Sequence, residues 1–200
     1  MDKSQQRLTS ELEQLRLRIE SEPTQVLEAA ELCAVKANQI LFPEGAIDSL
    51  IIASRCYWSL MDYRKGLKTV REAFSLINQV DNDEALPEIL HLHALHYWGQ
   101  AKYYSAQQYW IKSLEQSALV DQVEIQIESL IGLGNIWRVL GEYSLAKKTH
   151  GLAVKVANNM RIDWLEGKAR ILLSWDHYLL GNYIDMLSIL DGAVEALQYH

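Results

Sequence analysis

Apolar residues recur along this chain three and four positions apart, in segment after segment, and each segment stops at a short polar or glycine-bearing break. The stripe of Leu8, Leu12, Leu15 and Ile19 marks residues 4–20 as an amphipathic helix. This seam covers less than three heptads, so it reads as a capping helix laid on the next hairpin; a dimerisation helix is the alternative. The same spacing predicts helices near 24–40, 45–60, 64–80, 85–99, 104–120, 124–140, 144–158, 163–180 and 184–198. No strand-like alternation interrupts them, so the predicted class is all-α. Pro23, Pro43 and Pro87 fall between the helical patterns, where a breaker is expected.

The segments are copies of one unit. Residues 129–157 read as two short helices joined at Gly141, and steps of 40 residues carry this hairpin onto the rest of the chain. In that register Tyr57, Tyr97, Trp137 and His177 align, as do Tyr63, Tyr103, Tyr143 and Tyr183. Gly134 aligns with Ser54, Ala94 and Ser174, all small, as a close helix crossing demands. Ala146 and Ala153 form the matching small surface, repeated by Gly66, Ala106, Ala73, Ser113 and Ala193, with Met186 departing from it. Gly141 and Gly181 suit a left-handed helix end; Met61 and Ala101 stand at the equivalent places, so those turns must differ or carry strain. Asp81–Glu84 and Asp121 offer N-cap chemistry. The apolar last segment, with Leu190, Val194 and Leu197, suggests a natural chain continuing past His200.

Composition narrows the function. With 49% hydrophobic residues the core is substantial, and a formal charge of −7 without any basic run gives little support to binding nucleic acid or an anionic membrane. The N-terminus lacks a signal-peptide core, and no apolar run is long enough to span a bilayer, so the expectation is a cytoplasmic protein without membrane insertion. Cys33 and Cys56 show no metal or redox spacing and read as buried free thiols.

Leu130, Leu133, Gly134 and Trp137, then Gly141, Tyr143, Ala146 and Ala153, are arranged in a way that resembles the tetratricopeptide repeat (TPR) signature, in a 40-residue variant of the usual 34-residue unit. The resemblance covers residues 24–200 and is strongest over 129–157. It implies a right-handed α-solenoid of antiparallel helix hairpins, about ten helices in one body over 1–200: an atypical capping hairpin at 1–40, then repeats at 41–80, 81–120, 121–160 and 161–200. It also implies that the first helix of each hairpin lines a concave groove. The groove positions that carry across are Arg55 and Trp58, His91 and Trp98, Asn135 and Arg138, and Lys168, Trp175 and Tyr178, with Asp48, Ile51, Glu88, Ile131 and Ile171 among their neighbours. Such a trough suits a peptide with apolar anchors and one or two acidic groups, and Asn135 with Arg138 is the favoured polar anchor. Where chaperone-tail binders hold their clamp, this chain has Ile51, His91 and Ile131, which argues against that ligand.

His91, His93 and His96 are the one metal-like constellation, but on a helix at most two of them converge, and helix packing is the preferred reading. No phosphate loop, nucleophile elbow or paired-carboxylate motif appears, so no enzyme, catalytic residue, metal or cofactor is expected. The expectation is a protein- or peptide-binding module, the sensory or regulatory part of a bacterial signalling protein similar to those preceding diguanylate cyclase domains. A structural spacer forming a homodimer through residues 4–20 or the last hairpin is the alternative, and a metal-dependent hydrolase is a third reading.

Overall fold

The computed structural model describes residues 2–77, 80 and 84–198. Among them are ten α-helices and no strand: α1 (Lys3–Arg16), α2 (Pro23–Gln39), α3 (Pro43–Ser59), α4 (Tyr63–Ile77), α5 (Leu86–Gly99), α6 (Tyr103–Leu119), α7 (Val123–Val139), α8 (Tyr143–Met160), α9 (Asp163–Leu179) and α10 (Tyr183–Leu197). The predicted segments match these helices with shifts of a few residues at their ends. The chain divides into two compact units, Met1–Ala106 and Gln107–His200, and the boundary falls inside α6.

In the first unit, Leu8, Leu12, Leu15 and Ile19 are buried with Val26, Ala30, Cys33 and Ala37 of α2 and Ala46, Ile52, Ala53 and Cys56 of α3. The seam is therefore buried against the chain's own α2 and α3. An Asp2 capping box closes its start: Oδ1 accepts from the Ser4 and Gln5 amides at 2.7 and 2.9 Å. Cys33 and Cys56 are free and buried, and burial pushes both thiols up to about 11. A second cluster joins Ile47 and Ile51 to Leu67, Val70, Ala73 and Ile77 of α4 and to Ile89 and Leu92 of α5. In the second unit, Ile127, Leu130 and Ile131 of α7 pack with Ala153 and Ala157 of α8 and Leu165 and Ala169 of α9.

Pro23, Pro43 and Pro87 lie inside the first turns of α2, α3 and α5 rather than in the loops. A proline lacks only a donor that would be unsatisfied there, and its fixed φ suits the helix start. Asp121 is not the cap of α7: that place belongs to Gln122, which makes no side-chain cap bond. Asp121 instead takes φ +55° just past α6. Of the capping run expected before α5, residues 81–83 lie outside the described residues, and the observed N-cap is Ala85, without a side-chain bond.

The turns share one geometry. Leu41, Met61, Ala101, Asp121 and Arg161 have φ between 51° and 59°, alongside Gly141 at 80° and Gly181 at 76°. After α3, the Asp62 amide donates to the Tyr57 carbonyl at 2.9 Å and the Met61 amide to the Trp58 carbonyl at 3.0 Å. Lys102 with Tyr97 and Glu142 with Trp137 repeat the first bond, each at 2.9 Å. This is the Schellman closure, which satisfies orphan carbonyls through one left-handed residue. The turns at Met61 and Ala101 do not differ; they carry the strain.

Candidate functional site

Each expected groove position lies on the first helix of a hairpin, and its surroundings decide what it can offer a partner. On α3 and α5 most are engaged internally. Arg55 Nε donates to Glu88 at 2.6 Å. Arg16, from the last turn of α1, reaches the same carboxylate at 3.2 and 3.3 Å and Asp48 at 3.1 Å. Burial pushes the Glu88 carboxyl up, but the two guanidiniums outweigh it and hold the group below its ordinary range. His91, expected to face a partner, is only 3% exposed, so it is a packing residue and not a groove contact. Ile51 is buried as well.

The aromatic positions close the hairpins. Trp58 packs on Tyr63 at 5.2 Å, Trp98 on Tyr103 at 5.1 Å and Tyr178 on Tyr183 at 5.8 Å, ring centroid to centroid. The 40-residue register thus repeats a contact, an aromatic at the end of one helix against the tyrosine that opens the next. In the third copy the corresponding place belongs to Arg138, which does something else.

Arg138 Nε donates to Asp176 Oδ1 at 2.8 Å and Nη2 to the Leu172 carbonyl at 2.8 Å, while Nη1 donates to Asn135 Oδ1 at 3.3 Å. Asp176 is fully buried; its other oxygen meets Nδ1 of His150, also fully buried, whose Nε2 faces the Ile131 carbonyl at 3.3 Å. The favoured polar anchor is therefore the cap of a buried network tying α7 and α8 to α9. Neither His150 nor Asp176 stood out in the sequence, although the register held a signal. Asp176 occupies the place of Cys56, His96 and Ile136, and His150 that of Val70 and Trp110, so both were due to be buried and to need partners.

The α9 positions are the open ones. Trp175 is 55% and Tyr178 49% exposed, their rings 5.6 Å apart. Trp164 and Ile171 continue the row at helical spacing and are exposed too. Lys168 stands between them, its Nζ 5.9 Å from the Trp164 ring centroid and 3.8 Å from Glu128.

The histidines do not converge on an ion. Nδ1 of His93 meets the Ile89 carbonyl at 3.0 Å, and Nε2 of His96 meets the Ser54 hydroxyl at 2.8 Å. Burial lowers both rings to about 4, which keeps them neutral at pH 7. Among the described residues no group of three or more His, Cys, Asp or Glu is placed to hold a metal ion, and no helix is long and apolar enough to cross a membrane.

No family model matches the sequence, and neither does any curated protein. Solved structures do match in shape. The crystal structure of BtubC (BKLC) from P. vanneervenii superposes with a TM-score of 0.73 at 14% identity, over 87% of this chain and 73% of that one. A putative kinesin light chain of nearly identical TPR-like repeats, from Podosopora anserina, gives 0.69 at 14% identity over 98% and 97%. Aspartyl phosphate phosphatase F from Bacillus subtilis gives 0.71 at 17% identity, over 89% of this chain and 49% of that one, so the chain spans about half the phosphatase's length. The fold of this chain is that of the TPR-like helical repeat proteins.

Proposed function

We propose that the chain is a protein-interaction module that takes an apolar segment of a partner protein on the exposed row of α9. The observation behind this reading is the solvent exposure of Trp175 and Tyr178 beside Trp164 and Ile171. Large aromatics left open side by side are the usual anchors of a binding surface, since they bury much area at little loss of side-chain freedom. Lys168 sets a cation at the centre of the row and favours a segment with an acidic residue among its apolar ones. A role inside a signalling or regulatory protein is the finer part of the proposal, and it rests on analogy of fold with the phosphatase.

Selection of a displayed peptide library against the full chain tests it. Enriched peptides should carry two or more apolar residues, and Trp175→Ala with Tyr178→Ala should weaken them at least tenfold, about 1.4 kcal/mol, with the helical circular-dichroism signal retained at the assay temperature. Peptides that bind the doubly substituted chain equally well would sink the α9 assignment. A concentration-dependent dimer in sedimentation, lost in the same variant, would instead put a second copy on that face.

A further inference from the structure

The sequence has no basic run, yet the fold assembles one. An open surface depression of about 610 Å³ in the first unit is lined by Arg64, Leu67, Lys68, Arg71, Gln100 and Lys102. Arg64, Lys68 and Arg71 sit at i, i+4 and i+7 of α4 and so share a face, while Gln100 and Lys102 come from the turn after α5. Four of the six lining residues are cations and none is acidic, in a chain whose net charge is −7.

We propose that this depression is an anion site for a small phosphorylated compound, recognised through a pyrophosphoryl-like group. All four cations are exposed, and two of them are oriented by a neighbour. Arg71 Nη2 donates to the Tyr97 hydroxyl at 3.0 Å, and Lys102 Nζ sits 5.9 Å from the centroid of the same ring, so one tyrosine orients two of the four. Gln100 donates through Nε2 to the Tyr63 carbonyl at 3.2 Å, which orients its side chain. Their charge is little spent elsewhere. Arg64 and Lys102 have no ion-pair partner among the described residues, and Lys68 has only Glu72 at 3.8 Å, a largely solvated pair.

The same features choose the ligand. Leu67, the one apolar lining residue, is 6% exposed, so the depression offers no anchor pocket of the kind a docked peptide helix needs. A long polyanion would meet the repulsion of the chain's overall negative charge. A compact group carrying several charges fits a depression of small-molecule size, and guanidinium forks bond its oxygens in pairs.

Titration calorimetry of the full chain with inorganic pyrophosphate at low salt tests the site. One equivalent should bind with a Kd below about 1 mM, and Arg64→Ala and Lys102→Ala should each weaken it at least about fivefold. Tyr97→Phe keeps every charge and the ring but removes the oxygen that orients Arg71, so it should weaken binding too. Unspecific attraction to a basic surface would leave that variant unaffected. Lys147→Ala with Lys148→Ala, on α8, should change nothing. The proposal is overturned by the absence of saturable binding up to about 5 mM. It is equally overturned if Tyr97→Phe binds like the parent, if the α8 pair matters as much, or if an oligoglutamate peptide or citrate binds more tightly than pyrophosphate. None of these variants touches α9, so the peptide-binding proposal stands or falls separately.

Discussion

The Arg138 guanidinium, 17% exposed, meets a wholly buried Asp176 carboxylate at 2.8 Å and covers it. A carboxylate in that position needs both its ion partner and its hydrogen bonds; otherwise its desolvation goes uncompensated. Arg138→Ala removes the cation, and Asp176→Asn removes the charge that holds Arg138 and His150 together. Each should destabilise the chain by about 3–5 kcal/mol. Thermal and urea denaturation check this, and a loss under about 1 kcal/mol would show the network to be marginal. The double replacement Arg138→Leu with Asp176→Leu should lose less than Arg138→Leu and Asp176→Leu lose singly, added together. Binding experiments with Arg138→Ala would report this loss of fold before any loss of contact.

The strained turns give a prediction of opposite sign. Met61 and Ala101 hold φ of 59° and 55° and are both exposed. A left-handed L-residue is disfavoured by about 1–2 kcal/mol, and glycine escapes this while losing more chain entropy on folding. Met61→Gly and Ala101→Gly should each raise stability by about 0.5–1 kcal/mol, read as a higher urea midpoint at unchanged slope. Gly141→Ala, at φ 80°, should lower it. If both glycine variants were destabilised, side-chain contacts rather than backbone strain would control these turns.

Two glycines of neighbouring helices separate close packing from mere propensity. A Cβ on Gly134 would fall 2.4 Å from Nε2 of the buried His150 ring, and one on Gly151 would meet nothing within 4 Å. Gly134→Ala should destabilise by about 1–3 kcal/mol through overpacking. Gly151→Ala, inside α8, should stabilise by about 0.5–1 kcal/mol. The difference between the two midpoints is the measurement, and equal effects would rule out the ring contact as the reason for Gly134.

Periodicity alone located the helices, because their buried stripes repeat along 40-residue units and neighbouring units need the same small residues. Gly134, Ala146 and Ala153 were legible for that reason. The groove was less so. Its expected members split by what the first helix of the next hairpin supplies: Arg55 finds Glu88, Arg138 finds Asp176, and His91 is covered, while Trp175 and Tyr178 stay open. Such partners lie 33 or 38 residues away, and only a three-dimensional register brings them within reach. The basic depression was hidden for the same reason, its cations being shared between one helix face and a distant turn.

His93 and His96 predict how stability follows pH. Burial lowers both rings to about 4, opposed at His93 by its hydrogen bond to the Ile89 carbonyl and at His96 by the Ser54 hydrogen bond and the Asp62 charge. Unfolded histidine titrates near 6.5, so between that pH and about 4 the unfolded chain binds protons that the folded one refuses. Stability is therefore full above about pH 6.5 and falls as the pH drops toward 4, by roughly 3 kcal/mol for each ring. His93→Phe keeps a flat ring against Phe74, which packs edge-on at 5.8 Å, and removes one of the two titrations. Urea midpoints at pH 7.5 and 5 should differ clearly in the parent and by about half as much in His93→Phe. A parent chain equally stable at both pH values would mean that these two rings accept protons in place.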